Sequence, residues 1–189
     1  MRMLVVTEFV SLDGVVDSPG GGPHPHAGWT FTDVEFDEAA YELKGREQDE
    51  AGAMVMGRVS YEEFAPVWKT MDEFERYNAM PKYVVSTTLD ESDLDPEWAP
   101  TTLLRSLDDV AALKAGEGGP LLVQGRATLA QGLAAADLVD RYHLLEFPVV
   151  LGSGRRLFAT EGGDKRRLDL VEHATYGNGI RMAVYDVVR

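Results

Sequence analysis

The chain has 189 residues, enough for one domain with a real core, since a chain near this size buries roughly two-thirds of its unfolded surface on folding, and too few for two independent domains. Hydrophobic residues make up 44% and charged residues 26%, ordinary globular usage that excludes a disordered chain, a collagen-like repeat and a membrane protein. Its 32 acidic residues against 18 basic ones give a net charge of −14, a field that repels nucleic acid and anionic membrane but leaves room for a small anionic ligand where arginines and helix N-termini reverse the local sign.

In chain order, Met3 to Val10 reads as a buried strand ended by the turn Ser11-Leu12-Asp13-Gly14. Gly20 to Gly28, rich in Gly, Pro and His, reads as a long loop of the lid or binding-loop kind. Asp33 to about Asp49 has helical spacing, with Phe36, Ala39, Ala40 and Leu43 on one face. Ala53 to Met56 is a short apolar strand stopped by Gly57-Arg58, and Ser60-Tyr61-Glu62-Glu63 is a capping-box sequence that predicts a helix from Ser60 to about Pro66.

Lys82 to Ser86 and Thr102 to Leu104 read as further strands, followed by a helix capped at Ser106 and running to about Ala115. After the breaker Gly116 to Pro120, Leu121 to Val123 is another core strand, and Thr128 to Ala136 an Ala-rich helix opening at a glycine turn. Arg141 to Val150 reads as a long strand. Leu168 to Thr175 and Ile180 to Val188 flank Tyr176-Gly177-Asn178-Gly179, a hairpin signal. Alternating strands and helices that close on a hairpin predict a three-layer α/β fold around a mostly parallel sheet with an antiparallel C-terminal edge. Ligands of such sheets bind beyond the carboxyl ends of the strands.

With no cysteine, disulfide frameworks, thiolate nucleophiles and Cys-ligated metals are excluded, and a reducing compartment fits. The apolar start Met1 to Val6 is too short for a signal segment, and no apolar run reaches the ~18 residues of a membrane span; a cytoplasmic protein is the expectation. His24 and His26 lack a further ligand cluster, so no metal site is expected. Lys165-Arg166-Arg167 reads as a solvated turn.

Three strand ends carry the chemistry: Gly57-Arg58 with Ser60, Ser86-Thr87-Thr88, and Gln124-Gly125-Arg126 with Thr128. Glycine admits a ligand to the backbone, hydroxyls and helix-start N–H groups bind phosphate oxygens, and arginine adds a bidentate cation. Any one of these turns is accounted for by capping alone; three together, two with arginine in an acidic chain, point to a phosphate-bearing cofactor. Neither a Rossmann glycine fingerprint nor a P-loop is present.

Met56-Gly57-Arg58 with Ser60-Tyr61-Glu62, Lys82 to Ser86, and Leu122-Val123-Gln124-Gly125-Arg126-Ala127-Thr128-Leu129, in this order, resemble the dihydrofolate reductase-like family. Ser11-Leu12-Asp13-Gly14, Leu138-Val139-Asp140 and Pro148 to Gly154 bring the resemblance closer to its branch containing the C-terminal reductase domain of the bifunctional riboflavin-biosynthesis deaminase/reductase. The resemblance implies an NADPH-binding reductase, a homodimer, acting on a pyrimidine- or pterin-like small molecule. It implies Gly57, Arg58 and Ser60 at the phosphates, Ser86 and Thr87 near the adenosine ribose or its 2′-phosphate, and Gln124, Gly125, Arg126, Ala127 and Thr128 at the pyrophosphate turn. Trp29 resembles the family tryptophan that lies along the cofactor; it reads equally as a core anchor of the loop. Asp37, with Glu38 and Glu42 beside it, matches the helix carboxylate that grips pterin in folate reductases, and Asp37 and Asp13 are the candidate proton sources. Gln124 stands where riboflavin-type domains often carry a substrate-contacting Glu and folate reductases carry Gly. Three readings follow: a riboflavin-type reductase, a genuine dihydrofolate reductase, and a nucleotide-binding sensor or scaffold without turnover.

Overall fold

The computed structural model describes residues 1–159 and 161–189. Eight strands form one sheet: β1 (Leu4–Ser11), β2 (Ala53–Gly57), β3 (Lys82–Val85), β4 (Thr101–Leu104), β5 (Leu121–Val123), β6 (Arg141–Phe147), β7 (Leu168–Thr175) and β8 (Arg181–Val187). Their spatial order is β4-β3-β2-β5-β1-β6-β8-β7. β1 to β6 are mutually parallel, whereas β8 pairs antiparallel with both β6 and β7. The helices are α1 (Trp29–Thr32), α2 (Glu38–Glu50), α3 (Arg58–Trp68), α4 (Glu75–Ala79), α5 (Leu107–Ala115) and α6 (Ala127–Ala135). None of them is long and apolar enough to cross a membrane.

The strands that read as continuous apolar runs are those covered on both faces. Leu4, Val6, Val55, Leu121 and Val123 join Val110 of α5 and Ala127, Ala130 and Leu133 of α6 in one cluster. Val5, Met54, Met56 and Leu122 join Tyr61 and Ala65 of α3 and Tyr77 of α4 on the other face, and Leu145 and Phe147 of β6 meet Ala40 and Leu43 of α2. Period-two alternation thus splits each strand between two helix layers. Each fully buried leucine in these clusters contributes about 1.5–3 kcal/mol.

Several boundaries differ from the sequence reading, each for a local reason. The helix expected from Asp33 starts at Glu38, because Asp37 takes an extended φ of −132° and its carboxylate accepts the Ala39 N–H at 3.1 Å. The helix expected to open at Ser60 opens at Arg58 and runs through Pro66 to Trp68. Ser60 therefore lies inside the helix, and its hydroxyl bonds to a distant loop rather than capping. The sixth strand stops at Phe147, since Pro148 has no N–H for the ladder and Val149 N–H folds back onto the Phe147 carbonyl at 2.8 Å. The capping box at Ser106, with Asp109 as its reciprocal partner, forms as read.

Lys82 is fully buried at the start of β3. Its ammonium donates to the carbonyls of Asn78 at 2.7 Å and Met80 at 2.9 Å and stands over the Trp98 ring. It thus satisfies the C-terminal carbonyls of α4, a short helix with no apolar period to announce it. Burial brings its pKa down to about 8.

Candidate functional site

Because β1 to β6 run parallel, their carboxyl ends share one edge. The chain leaves β1 and β2 toward the α2–α4 layer but leaves β5, which lies between them, toward α6. Such a reversal opens a crevice at the strand ends. The ladder shows the crevice directly. Pairing of β1 with β5 ends at Val6 and Val123, while β1 continues to Ser11 on the β6 side alone. Beyond Val123 the chain turns away from β1: the Gln124 N–H donates to the Val55 carbonyl at 3.2 Å.

The three corners marked by the sequence meet at this edge. Gly57 is in register with Val85, which sets Ser86 beside the start of α3. Gly125 has a φ of +118°, and a β-carbon there would stand 2.1 Å from Ser60 Oγ and 2.7 Å from Ser60 Cβ. Only glycine permits that approach and that backbone. Ser60 Oγ accepts the Arg126 N–H at 3.2 Å, so the N-terminal ends of α3 and α6 are fixed side by side. Neither helix has a side-chain cap, and nothing lies within 4 Å of a β-carbon built on Gly57.

Around these ends stand three arginines. Arg58 pairs with Glu62 at 2.9 Å and Arg126 with Glu63 at 2.5 Å, while the Arg126 Nε is buried without a partner among the described residues. Arg155, from the loop after β6, donates to Thr128 Oγ1 at 2.8 Å on the first turn of α6; it escaped sequence reasoning because nothing in its local run points to residue 128. Ala127 itself is buried in the core and Thr128 is exposed. At the third corner Ser86 Oγ accepts the N–H groups of Thr88 and Leu89 at 3.2 and 3.0 Å, and Arg105 holds the Ser86 carbonyl at 3.1 Å. Thr87 is exposed there. Uncapped helix ends and guanidinium groups are the donor set of a diphosphate site, and these residues fit a dinucleotide phosphate.

The acidic candidates lie apart from one another. Asp13 accepts from Ser11 Oγ at 2.7 Å and from the N–H groups of Leu151 and Gly152 at 3.1 and 2.9 Å. Burial works against its ionisation, but these bonds outweigh it and bring the pKa down to about 2, so Asp13 is a carboxylate tying the turn after β1 to the loop after β6. Asp37 is half-buried and caps α2. Trp29 has no exposed surface: its Nε1–H donates to the Asp17 carbonyl at 2.9 Å and its ring meets Phe147 edge-on at 5.4 Å, the packing of a core anchor. His24 and His26 stand together, with His24 Nε2 3.1 Å from the Ser153 carbonyl.

A second group of charges, absent from the sequence reading, lies between α2 and the sheet. Glu47 accepts from Thr7 Oγ1 at 2.6 Å and pairs with His143 Nδ1 at 2.9 Å and with Lys44 at 3.4 Å. Lys44 also donates to Thr7 and lies 4.9 Å from the centre of the Phe9 ring. Although burial opposes it, the Lys44 charge and the bonds from His143 and Thr7 hold the Glu47 pKa below its usual value. No single segment announces this cluster: Glu47 and Lys44 sit on a polar helix, and Thr7 and His143 each interrupt an apolar strand. Two cavities open elsewhere, around Met1 to Met3 and around Ala111, Lys114 and Arg189, with no comparable set of convergent donors.

A model of the RibD C-terminal domain family matches residues 2–182. Among solved structures, a putative riboflavin biosynthesis protein from Shewanella sp. PV-4 superposes with a TM-score of 0.78 at 21% identity, covering 99% of each chain. A pyrimidine reductase-like protein from Corynebacterium diphtheriae gives 0.67 at 15% identity over 99% of this chain and 92% of that one. Dihydrofolate reductase from Enterococcus faecalis, in complex with NADP(H) and RAB-propyl, gives 0.61 at 13% identity over 99% and 97%. At these identities the structures establish the fold, which is the dihydrofolate reductase-like one.

Proposed function

We propose, from the premise that the chain belongs to the RibD C-terminal domain family, that it is an NADPH-dependent reductase acting on a small planar heterocycle of the pyrimidine or pterin class. The observation that carries this reading is the pair of uncapped helix ends locked together at Gly125 and Ser60, with Arg58, Arg126 and Arg155 around them, in a chain of net charge −14. Two uncapped helix ends ringed by guanidinium groups, two of them held in place by Glu62 and Glu63, suit phosphate groups. The fold shared with an NADP(H)-bound dihydrofolate reductase supports the same cofactor.

In this reading Gly57, Arg58, Ser60, Gly125, Arg126, Ala127 and Thr128 hold the diphosphate, while Ser86 and Thr87 lie toward the adenosine side. When bound, NADPH supplies a hydride to the acceptor carbon. The chain's part is to orient and to exclude water. Phe9, Tyr41 and the Lys44 ammonium offer a flat acceptor an aromatic wall and a cation for the charge that builds on it as hydride arrives. Asp37 is the carboxyl kept for proton transfer, since Asp13 is committed as a carboxylate to the loop after β6. The riboflavin-type substrate, 5-amino-6-(5-phosphoribosylamino)uracil, is the first acceptor to try, and the family likeness adds a cytoplasmic homodimer.

Intrinsic tryptophan fluorescence titrated with NADPH and with NADH tests the cofactor. Saturation by NADPH in the micromolar range is expected; silence toward both at high micromolar concentration overturns the reading. Oxidation of bound NADPH is then followed with pyrimidine, dihydrofolate and quinone acceptors. Binding without turnover on any of them would favour a nucleotide-binding sensor instead, a reading motivated by Gln124 in place of an acid.

A further inference from the structure

We infer that Glu8 reads the carboxamide of the nicotinamide ring, as an acid-to-amide hydrogen-bonded pair formed in the crevice between β1 and the start of α6; the inference rests on the cofactor proposed above. Glu8 interrupts the apolar strand β1. It alternates with Val6 and Val10, which face the α6 layer, and is in register with Leu144 on β6. It is only 6% exposed, and its Oε1 is buried with no hydrogen-bond partner among the described residues.

Other buried charged groups have obvious structural partners: Lys82 holds three carbonyls, Lys114 holds the Leu138 carbonyl and Asp140, and Arg2 holds the Gly119 carbonyl. Glu8 has nothing comparable. A carboxyl group withdrawn from water without a partner is costly. A ligand group that enters beside it and pairs with it removes that cost.

The position of Glu8 says which partner. The last β1 residue paired with β5 is Val6, so Glu8 lies on the stretch whose β5 side is open. Across that opening the chain has turned toward β2 and Ser60, through the Gln124 N–H and Gly125. On the face that Glu8 shares, α6 begins at Ala127, and its uncapped end belongs to the diphosphate corner. The group that enters the open stretch is therefore attached to the diphosphate but distinct from it.

Burial and the Glu47 carboxylate hold Glu8 well above the usual carboxylate range, burial foremost, with only the Lys44 charge opposing them. A neutral carboxyl offers one O–H donor beside one C=O acceptor. A primary carboxamide offers the mirror arrangement, so the two close a reciprocal pair that an ionised phosphate or carboxylate, having no donor, cannot make.

Isothermal titration calorimetry on the full chain tests this with two ligands, NADP⁺ and 2′-phospho-ADP-ribose, which lacks the nicotinamide. Glu8→Leu should weaken NADP⁺ by about tenfold and leave 2′-phospho-ADP-ribose unchanged, while Glu8→Gln, which keeps one donor and one acceptor, should retain NADP⁺ affinity. Equal loss for both ligands, or no loss for NADP⁺, overturns the inference while leaving the cofactor reading intact. Failure of the unaltered chain to bind either ligand overturns both. Should Glu8→Leu not fold, the unaltered chain is compared on NADP⁺ and its 3-acetylpyridine analogue, whose ketone has no N–H; about tenfold preference for NADP⁺ supports the role of Glu8, and equal affinity sinks it.

Discussion

Gly125→Ala is the sharpest test of how the cleft is built. The new methyl carbon would lie 2.1 Å from Ser60 Oγ and 2.7 Å from Ser60 Cβ, well inside contact distance. Ser60 sits within α3 and cannot move without the helix, so the loop must yield. Two penalties combine. Holding a non-glycine residue at the φ of +118° costs about 1–3 kcal/mol. Displacing the loop breaks the bond from Arg126 N–H to Ser60 Oγ and leaves a half-buried donor unsatisfied, a further ~1–3 kcal/mol. The total, about 2–6 kcal/mol, is read as a lower urea midpoint at unchanged slope. Because the loop carries the start of α6, NADPH affinity should fall as well. Ser60→Gly alone deletes the same hydrogen bond, so the double variant should cost less than the sum of the two single losses, a non-additivity of about 1 kcal/mol or more. A Gly125→Ala protein within about 0.5 kcal/mol of the parent would refute the claimed contact.

Arg126→Ala and Arg58→Ala should each weaken NADPH by about tenfold, the scale of one charge-assisted bond, and flatten the dependence of affinity on salt; fluorescence titration at two ionic strengths checks both. Lys82 carries a pKa of about 8 in the fold against about 10.4 unfolded. The unfolded chain therefore binds more protons between these values, and stability should rise with pH from about 8 to 10. Urea unfolding across that range should show the rise in the parent and lose it in Lys82→Met. Asp13, at about 2 in the fold against about 3.9 unfolded, acts in the same sense in an acid window. Its contribution is complete above pH 4 and disappears as pH falls toward 2, roughly 1 kcal/mol once solvent screening is allowed for, and Asp13→Asn should erase that part of the acid transition.

Much of the scaffold could be read from pattern alone, because the central strands are apolar on both faces and the glycine corners punctuate them. The order Met56-Gly57-Arg58, then Ser86, then Gln124-Gly125-Arg126 also located the edge where the cleft forms. What escaped reading was every contact that joins distant segments. Ser60 has the spacing of a cap yet its hydroxyl serves Arg126. Asp13 looks like a solvent-facing turn residue, but it binds the N–H groups of Leu151 and Gly152. Glu47 occupies an ordinary position on an acidic helix, and only the fold brings His143 and Thr7 to it. Local rules describe a side chain's options; they do not choose among partners 40 to 139 residues away. Glu8 likewise gains its meaning only from the fold, which sets β1 between β5 and β6 and buries its carboxyl group.

The pairing of β1 has a consequence for how the polypeptide acquires its shape. Among the described residues its strand neighbours are β5 and β6, so during synthesis the run Leu4–Ser11 lacks its native strand partners until residues 121 to 147 have emerged. For that interval an apolar segment is left without cover, the condition that slows folding and invites chaperone capture or self-association. Ribosome-held fragments that end before residue 121 should accordingly collapse without gaining a protected first strand.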